Sequence, residues 1–437
     1  MRILDWSALS ASERDAALER PAQQARADID TLVREVISSV RARGDAALRE
    51  YTRRFDRVEL ATLRVSAEEF AAASREVGPS EQAALARAIA NVERFHRTQS
   101  LEGVSLETEP GVRCERLYRP IGAVGLYVPA GSAPLPSAVV MLAVPARIAG
   151  CPRRVLCTPP DQSGRAHPAV LLAAQLSGID QVYKVGGAQA IAALAYGTES
   201  IPKVDKIFGP GNAWVTAAKQ AAAADPHGAA CDMPAGPSEV MVLADDTACA
   251  EFVAADLLAQ AEHDPTAQAI LLTPSAALAE AACAAVQRQT ATLSRRAILE
   301  RSLRASRCLL VPDLDAAIEV ANAYAAEHLI IQTREPRALL ARIVNAGSVF
   351  LGPWSPEPMG DYCSGTNHVL PTYGYARAYS GLSTIDYLKR ITVQELTASG
   401  LRSLGPTAVT LARLEGLDAH AAAVTRRLER LAMEAAR

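Results

Sequence analysis

From about residue 120 to residue 351 the chain alternates short apolar runs with windows of helical periodicity. The runs "AVGLYVP", "RVLCTP" and "QVYKVG", for example, are each followed by such a window. Strand followed by helix, repeated along a chain, is typical of parallel sheets wound with helices. The runs number about ten, which is large for one sheet of this class. The pattern therefore predicts an α/β fold with two doubly wound, Rossmann-like parallel sheets.

The loop 225–237, "DPHGAACDMPAGP", is rich in glycine and proline and is the predicted break between the two sheets. The first 95 or so residues have helical periodicity, and so does the arginine-rich end of the chain. We therefore expect four parts: an N-terminal helical extension (residues 1–25), a first α/β domain (26–125 with 239–380), a second Rossmann-like domain (126–238) and a C-terminal helical tail (381–437). The tail is too short for a core of its own, so it should pack on another domain or on a second chain.

Composition and charge disfavour several classes of protein. Charged residues make up 21% of the chain, the net charge is -3 and no basic face stands out, which favours a small-molecule substrate over nucleic acid. The N-terminus has no apolar segment of signal-peptide length. The uncharged stretch 120–146 contains five prolines and three glycines, so we expect no membrane span there. Eight scattered cysteines without a CxxC pair favour free thiols in a reducing cytoplasm.

Three glycine-containing loops, "YVPAGSAPLP", "GGAQA" and "GPGNAW", follow predicted strands. Open parallel sheets bind ligands at the carboxyl ends of their strands. Glycines also let backbone N–H groups approach a phosphate, and a helix N-terminus favours negative charge. A nucleotide site and ordinary tight turns both remain open at this point, because no GxGxxG occurs and no acidic residue completes the usual fingerprint.

Candidate metal ligands are concentrated in the second half of the chain. Gln260 and His263 share one face of a predicted helix, because they are three residues apart. Asp361 lies in a loop after the last predicted strand, and His420 lies in the helical tail. Two imidazoles, a carboxylate and an amide oxygen would make a zinc site with nitrogen and oxygen ligands and room for a substrate. A capping histidine and a solvated aspartate would explain the same residues without a metal.

Glu327 and His328 are adjacent and could form a carboxylate–imidazole pair for acid–base chemistry. The alternative is a histidine that interacts with the last carbonyl groups of a helix. A cysteine nucleophile would be a rival chemistry. Cys363 lies two residues from Asp361, but no base is close to it in the sequence, so we do not expect a catalytic cysteine.

Taken together, these segments resemble the histidinol dehydrogenase family. The resemblance includes "DLLAQAEHDP" and "AEHLIIQTR" and covers essentially the whole chain, through residues 119–151, 185–215, 232–240, 256–265, 326–334 and 346–377. It implies oxidation of L-histidinol to L-histidine through histidinal, with two NAD+ and one water, as the last step of histidine biosynthesis. It also implies a cytoplasmic homodimer.

The resemblance further implies roles for individual residues. Zinc would be held by Gln260, His263, Asp361 and His420 of the partner subunit. Glu327 and His328 would be the acid–base pair. The NAD site would be lined by Tyr127, Gln189 and Asn212. Substrate would be contacted by Ser238, Gln260, His263, His328, Asp361, His368, Glu415 and His420, with Glu415 and His420 supplied across the subunit interface.

Some features and alternatives stay open. Asp264 stands where we expect glycine in many relatives, beside the proposed zinc ligands. A dehydrogenase of the same family acting on another small polar alcohol would share the same residues. A zinc hydrolase on an α/β scaffold is a further alternative, which the three glycine loops disfavour. A binding protein without catalysis is disfavoured by the Glu327–His328 pair.

Overall fold

The structure, a computed structural model of the 437-residue chain, describes residues 1–21, 26–99, 101–130, 133–234 and 236–436. The chain forms two compact units, Met1–Gln99 with Ile121–Tyr387, and Ser100–Pro120 with Leu388–Arg437. The larger unit contains two parallel sheets, and the smaller one contains an antiparallel sheet. Among the described residues, no helix has the length and apolar character needed to cross a membrane.

The first parallel sheet has six strands, in the spatial order β1 (Arg2–Asp5), β11 (Arg307–Leu310), β10 (Gln268–Thr273), β9 (Glu239–Ala244), β12 (His328–Gln332) and β13 (Ser348–Leu351). Its helices are α10 (Ala250–Ala261), α11 (Ala276–Thr290), α12 (Arg296–Ala305), α13 (Leu314–Tyr324), α14 (Pro336–Leu340) and α15 (Glu357–Tyr362). Every residue of β9, β10 and β12 is buried, as in parallel sheets covered by helices on both faces. Burial on both faces explains why these strands are uninterrupted apolar runs in the sequence.

The second parallel sheet has five strands, in the order β6 (Gln181–Lys184), β5 (Arg153–Thr158), β4 (Ala123–Tyr127), β7 (Lys206–Phe208) and β8 (Ala230–Cys231). Its helices are α6 (Pro136–Ile148), α7 (Pro168–Leu176), α8 (Gly187–Tyr196) and α9 (Ala213–Ala224). Strand order reverses between β4 and β7, where such sheets open a ligand crevice. The chain changes sheet between Cys231 and Glu239, at the predicted break, so the prediction of two wound sheets is confirmed.

The N-terminal region differs from expectation in two ways. It contains α1 (Ala11–Leu18), α2 (Arg26–Arg43), α3 (Asp45–Tyr51), α4 (Ala67–Glu76) and α5 (Pro79–Arg97), but β1 also adds an edge strand to the six-stranded sheet. We had grouped residues 26–125 with the first α/β domain. Instead, Val33 of α2 and Leu48 of α3 share a core with Tyr127 and Ile191 of the five-stranded sheet. An amphipathic pattern shows that a helix has an apolar face, but not which sheet that face covers.

The smaller unit is not wholly helical, which corrects our expectation for residues 381–437. Its strands β2 (Val104–Glu109), β3 (Val112–Pro120) and β14 (Leu388–Leu396) form an antiparallel sheet in the order β14-β3-β2. The helices α16 (Ala398–Leu414) and α17 (Asp418–Ala435) follow, and Gly405 brings them close at Val424 and Leu428. Strand β14 is mostly exposed and rich in charge, so it lacks the apolar run that marks the buried strands.

Candidate metal and nucleotide sites

A cluster of ionisable side chains lies at the amino-terminal ends of β9 and β12. His328 is the first residue of β12 and Glu327 precedes it, and both are buried. We had expected ligands at the carboxyl ends of strands, and for this sheet that expectation is wrong. Helix α10 runs back from the far end of β9, so its last turn brings Gln260 to the edge where β12 begins.

His328 lies at the centre of this cluster, among three carboxylates. Its Nδ1 is 3.7 Å from Oε2 of Glu327 and 3.9 Å from Oε1 of Glu357, and its Nε2 is 3.5 Å from Oδ1 of Asp361. When the Gln260 amide is assigned so that its nitrogen faces this cluster, that nitrogen lies 2.9 Å from Nδ1 of His328 and donates to both carboxylate oxygens of Glu357 over 3.2 Å. Nε2 of His328 is buried and has no hydrogen-bond partner among the described residues. It is therefore available to a bound reactant.

His263, Glu357 and Asp361 each offer one ligand atom, and these atoms all lie within 4.8 Å of one another. Imidazole nitrogen and carboxylate oxygen at this spacing suit a divalent cation such as zinc. Because the amide nitrogen of Gln260 is occupied by His328 and Glu357, its carbonyl oxygen is the atom left for the same cation. The residues present therefore fit a metal.

The electrostatics of the cluster are dominated by burial and by His328. Burial raises the pKa of Glu327 and that of Glu357, each to about 8, although the charge of His328 opposes the rise. Burial disfavours a charged His328, but Glu357, Glu327 and Asp361 outweigh it and raise the pKa of His328 to about 10. Burial likewise opposes charge on Asp361, yet the close approach of His328 and its charge keep the pKa of Asp361 below its usual range. A divalent cation beside these carboxylates would compete with the His328 proton.

Two further histidines belong to the same region. Burial lowers the pKa of His263, although part of this side chain is exposed at the surface. Burial also lowers the pKa of His368, and the charge of Asp361 partly opposes that effect, which places His368 within electrostatic range of the cluster. Nε2 of His368 is buried and without a hydrogen-bond partner among the residues described. A lowered pKa favours the neutral ring, the form in which an imidazole binds a metal.

Asp264, the unusual residue after the "QAEH" segment, is held in a local turn. Its Oδ1 accepts from the backbone N–H of Thr266 over 2.8 Å and from the Thr266 hydroxyl over 2.6 Å. An aspartate that closes a turn in this way is common just after a helix. Asp264 thus has a structural role of its own at the end of α10.

The remaining expected substrate residues are more scattered. Ser238 is half-buried and immediately precedes β9. Glu415 ends α16 and His420 lies in the first turn of α17, both exposed on the smaller unit. Their contribution across a subunit interface stays a prediction. The structure brings together five of the expected residues, namely Gln260, His263, Glu327, His328 and Asp361.

Glu357 is the residue that sequence reasoning missed. It is buried at the start of α15, one helical turn before Asp361. Residues four apart share a helix face, so this spacing could have identified it. The signal was hidden because the short segment "SPEPMGDY" contains two prolines and was taken for a loop.

The expected nucleotide residues lie in the other sheet, at carboxyl ends of strands. Tyr127 is the last residue of β4, and its buried hydroxyl accepts from the backbone N–H of Gly187 over 3.0 Å. Gln189 is buried in the first turn of α8. Asn212 caps α9, accepting from the N–H groups of its first turn. The Tyr127 hydroxyl and the Asn212 side chain thus order the starts of α8 and α9.

The third loop is fixed by a buried ion pair. Gly209 has φ 129°, and a Cβ there would meet the carbonyl oxygen of Tyr127 at 2.1 Å, so only glycine fits. Its N–H donates to Asp232 over 2.8 Å and its carbonyl accepts from Lys219 over 2.9 Å. Lys219 and Asp232 also pair with each other. Buried contacts therefore hold the loop that opens α9 in place.

Comparison with known proteins agrees with this arrangement. A family model described as histidinol dehydrogenase matches residues 18–428. Curated histidinol dehydrogenases of Vibrio cholerae and Xanthomonas euvesicatoria are each 55% identical, over 431 and 428 residues, and the alignments cover 98–99% of this chain and 99% of each relative. The crystal structure of histidinol dehydrogenase from Elizabethkingia anophelis superposes with a TM-score of 0.94 at 46% identity, covering 99% of this chain and 98% of that one. These matches show that the chain belongs to the histidinol dehydrogenase family, whose members are NAD-dependent oxidoreductases.

Proposed function

We propose that the chain oxidises L-histidinol to L-histidine through histidinal, with two NAD+ and one water, as the last step of histidine biosynthesis. One observation carries the proposal. The Glu327–His328 pair lies beside the donor atoms of His263, Glu357 and Asp361 in a chain whose full-length relatives are named for this activity.

The acid–base residues can serve both oxidations. In the first, His328 takes the hydroxyl proton of the alcohol while hydride leaves its carbon for NAD+, giving the aldehyde and NADH. Water then adds to the aldehyde: Glu327 takes the proton that water loses, and His328 returns its proton to the carbonyl oxygen, which gives the hydrate. In the second oxidation His328 again accepts a hydroxyl proton while hydride passes to a second NAD+, and the carboxylic acid results. Burial of both residues supports this assignment, because a sheltered site retains the reactive aldehyde.

We propose that the metal is zinc, held by Gln260, His263, Asp361 and His420 of the partner subunit. Histidinol carries an imidazole and an amine, both good zinc donors, so the ion would mainly orient the substrate. The donor set supports this, since three of the four residues converge without the partner. Glu415 of the partner subunit would contact substrate, as would Ser238 and His368.

The nucleotide would bind at the glycine loops lined by Tyr127, Gln189 and Asn212. Their place at the carboxyl ends of strands, beside the starts of α8 and α9, supports a site for the cofactor phosphates. We also propose a homodimer in the cytoplasm. Eight free cysteines are in keeping with a reducing compartment.

The deciding experiment is a stoichiometry. Purified zinc-loaded protein is incubated with limiting L-histidinol and excess NAD+, and NADH is counted by absorbance while product is identified by chromatography. We expect two NADH and one histidine per alcohol consumed. One NADH with accumulating aldehyde would indicate a simple alcohol dehydrogenase. Turnover with another amino alcohol but not histidinol would identify a different substrate, and hydrolysis without NADH would favour the hydrolase alternative.

A further inference from the structure

Glu357 is a buried carboxylate with no part in the reaction proposed above, yet it contacts two residues that have one. Both of its oxygens lie 3.2 Å from the terminal amide atom of Gln260 that faces them, and Oε1 lies 3.9 Å from Nδ1 of His328. The side chain is only 1% exposed. A buried carboxyl group in this position needs an explanation in terms of what it holds.

The amide of Gln260 can take two orientations that differ by exchange of its oxygen and nitrogen. Only the oxygen can bind a cation, because the nitrogen is a donor without a free lone pair. With the oxygen turned toward Glu357, three oxygens would face one another in a buried space. With the nitrogen turned toward Glu357, the contacts become hydrogen bonds and the oxygen points away from the carboxylate.

We propose that Glu357 is a positioning residue. It fixes the Gln260 amide with its oxygen toward the cation that His263 and Asp361 would also bind. The inference rests on the proposed zinc site. Helix α15 then supplies both the positioning residue, Glu357, and one proposed ligand, Asp361, since the two are one turn apart and share a face. Partners that orient a metal ligand in this way typically alter metal affinity 10- to 100-fold when removed.

The test measures zinc affinity by competition with a chromophoric chelator, using the full chain, rather than enzyme turnover. We expect Glu357→Ala to weaken zinc binding at least ~10-fold. Glu357→Gln retains an acceptor oxygen for the Gln260 amide, so its affinity should stay within about threefold of the parent. Glu262→Gln removes the charge of a half-buried carboxylate two residues after Gln260, and serves as the matched control for charge.

A double-mutant cycle separates positioning from direct ligation. If Glu357 acts through Gln260, adding Glu357→Ala to Gln260→Ala should cause little further loss of affinity. If the fold-losses of zinc affinity in the two single variants instead multiply in the double variant, Glu357 is a ligand in its own right and the proposal is overturned. Equal weakening by Glu357→Gln and Glu357→Ala would overturn it as well, because charge alone would then be responsible. If the parent chain fails to bind zinc, the metal proposal itself fails. If the parent binds and Glu357→Ala binds equally well, only the role of Glu357 is wrong.

Discussion

The backbone N–H of Glu239 donates to Oε2 of Glu327 over 2.9 Å, so the first residue of β9 holds the carboxylate that precedes β12. The Glu239 side chain is itself anchored. It receives hydrogen bonds of 2.5 and 2.9 Å from Arg20, and one of 3.2 Å from the hydroxyl of Tyr324. The guanidinium also lies 3.9 Å over the Tyr324 ring. The N-terminal segment is thereby linked to the strand that orients Glu327.

Removing Arg20 should destabilise the fold. Arg20→Met leaves the buried Glu239 carboxylate unpaired, so the free energy of unfolding should fall by about 3–5 kcal/mol in urea titrations. Tyr324→Phe removes the hydroxyl that contacts both Glu239 and Gln268 but keeps the ion pair, and should cost only about 1–3 kcal/mol. Equal losses in the two variants would show that the ion pair is not the main contribution.

Glu327→Gln should separate the two oxidations. An amide cannot take a proton from water, so the step from aldehyde to acid should slow by about 10²–10⁴-fold. A single-turnover experiment with histidinol and excess NAD+ should then show one rapid NADH, with the second delayed. His328→Asn is the comparison, since it should slow the first NADH too. Two equally fast NADH from Glu327→Gln would contradict the role of Glu327.

Removing the metal should abolish turnover. Two of the proposed ligands are His263 and Asp361, and an amide oxygen and an imidazole complete the set. A strong chelator should extract an ion held by these ligands reversibly. We expect activity to vanish in protein shown by elemental analysis to be metal-free, and zinc to restore it. Calcium should not, because it favours oxygen ligands. A retained rate in verified metal-free protein would contradict the metal's role.

Mixing two inactive chains should restore activity if the partner subunit supplies His420. A His420→Ala chain and a Gln260→Ala chain each lack one proposed ligand. In a heterodimer one site has both lesions and the other has neither. We expect refolded mixtures to regain activity in proportion to the heterodimer fraction, measured with differently tagged chains. Verified heterodimers that stay inactive would show that His420 does not cross between subunits.

Asp256 should make stability depend on pH. Burial raises its pKa to about 7, although Gln332 donates to it over 2.6 Å and opposes the rise. Because the folded pKa exceeds the unfolded value of about 3.9, its stabilising contribution is present below pH 4 and is lost as pH rises to about 7. Asp256→Asn should therefore melt higher than the parent at pH 8, and the gap should shrink toward pH 4. Asp246→Asn, an exposed aspartate nearby, should give no such trend.

The sequence allowed the strand–helix alternation to be predicted, because each strand buried on both faces is an unbroken apolar run. It did not reveal β1, β3 or β14, whose alternating or charged residues lack that run. Gln260 and His263 were found through helical spacing. The sequence did not reveal that the cluster lies at the amino-terminal ends of the strands, because the direction in which α10 returns depends on packing. Glu357 was missed because its relation to Asp361 exists only once α15 has formed.

The two candidate sites use opposite edges of their sheets, and this has an electrostatic consequence. Loops that follow strands lead into the starts of α8 and α9, where peptide dipoles present partial positive charge to an anionic cofactor. The cluster that precedes β12 instead meets the last turn of α10, where the dipoles present partial negative charge to a cation. At these three helix ends the backbone field thus matches the charge of each proposed ligand. A redesign that moved either ligand to the opposite edge of its sheet would place that ligand in a helix-dipole field of the unfavourable sign.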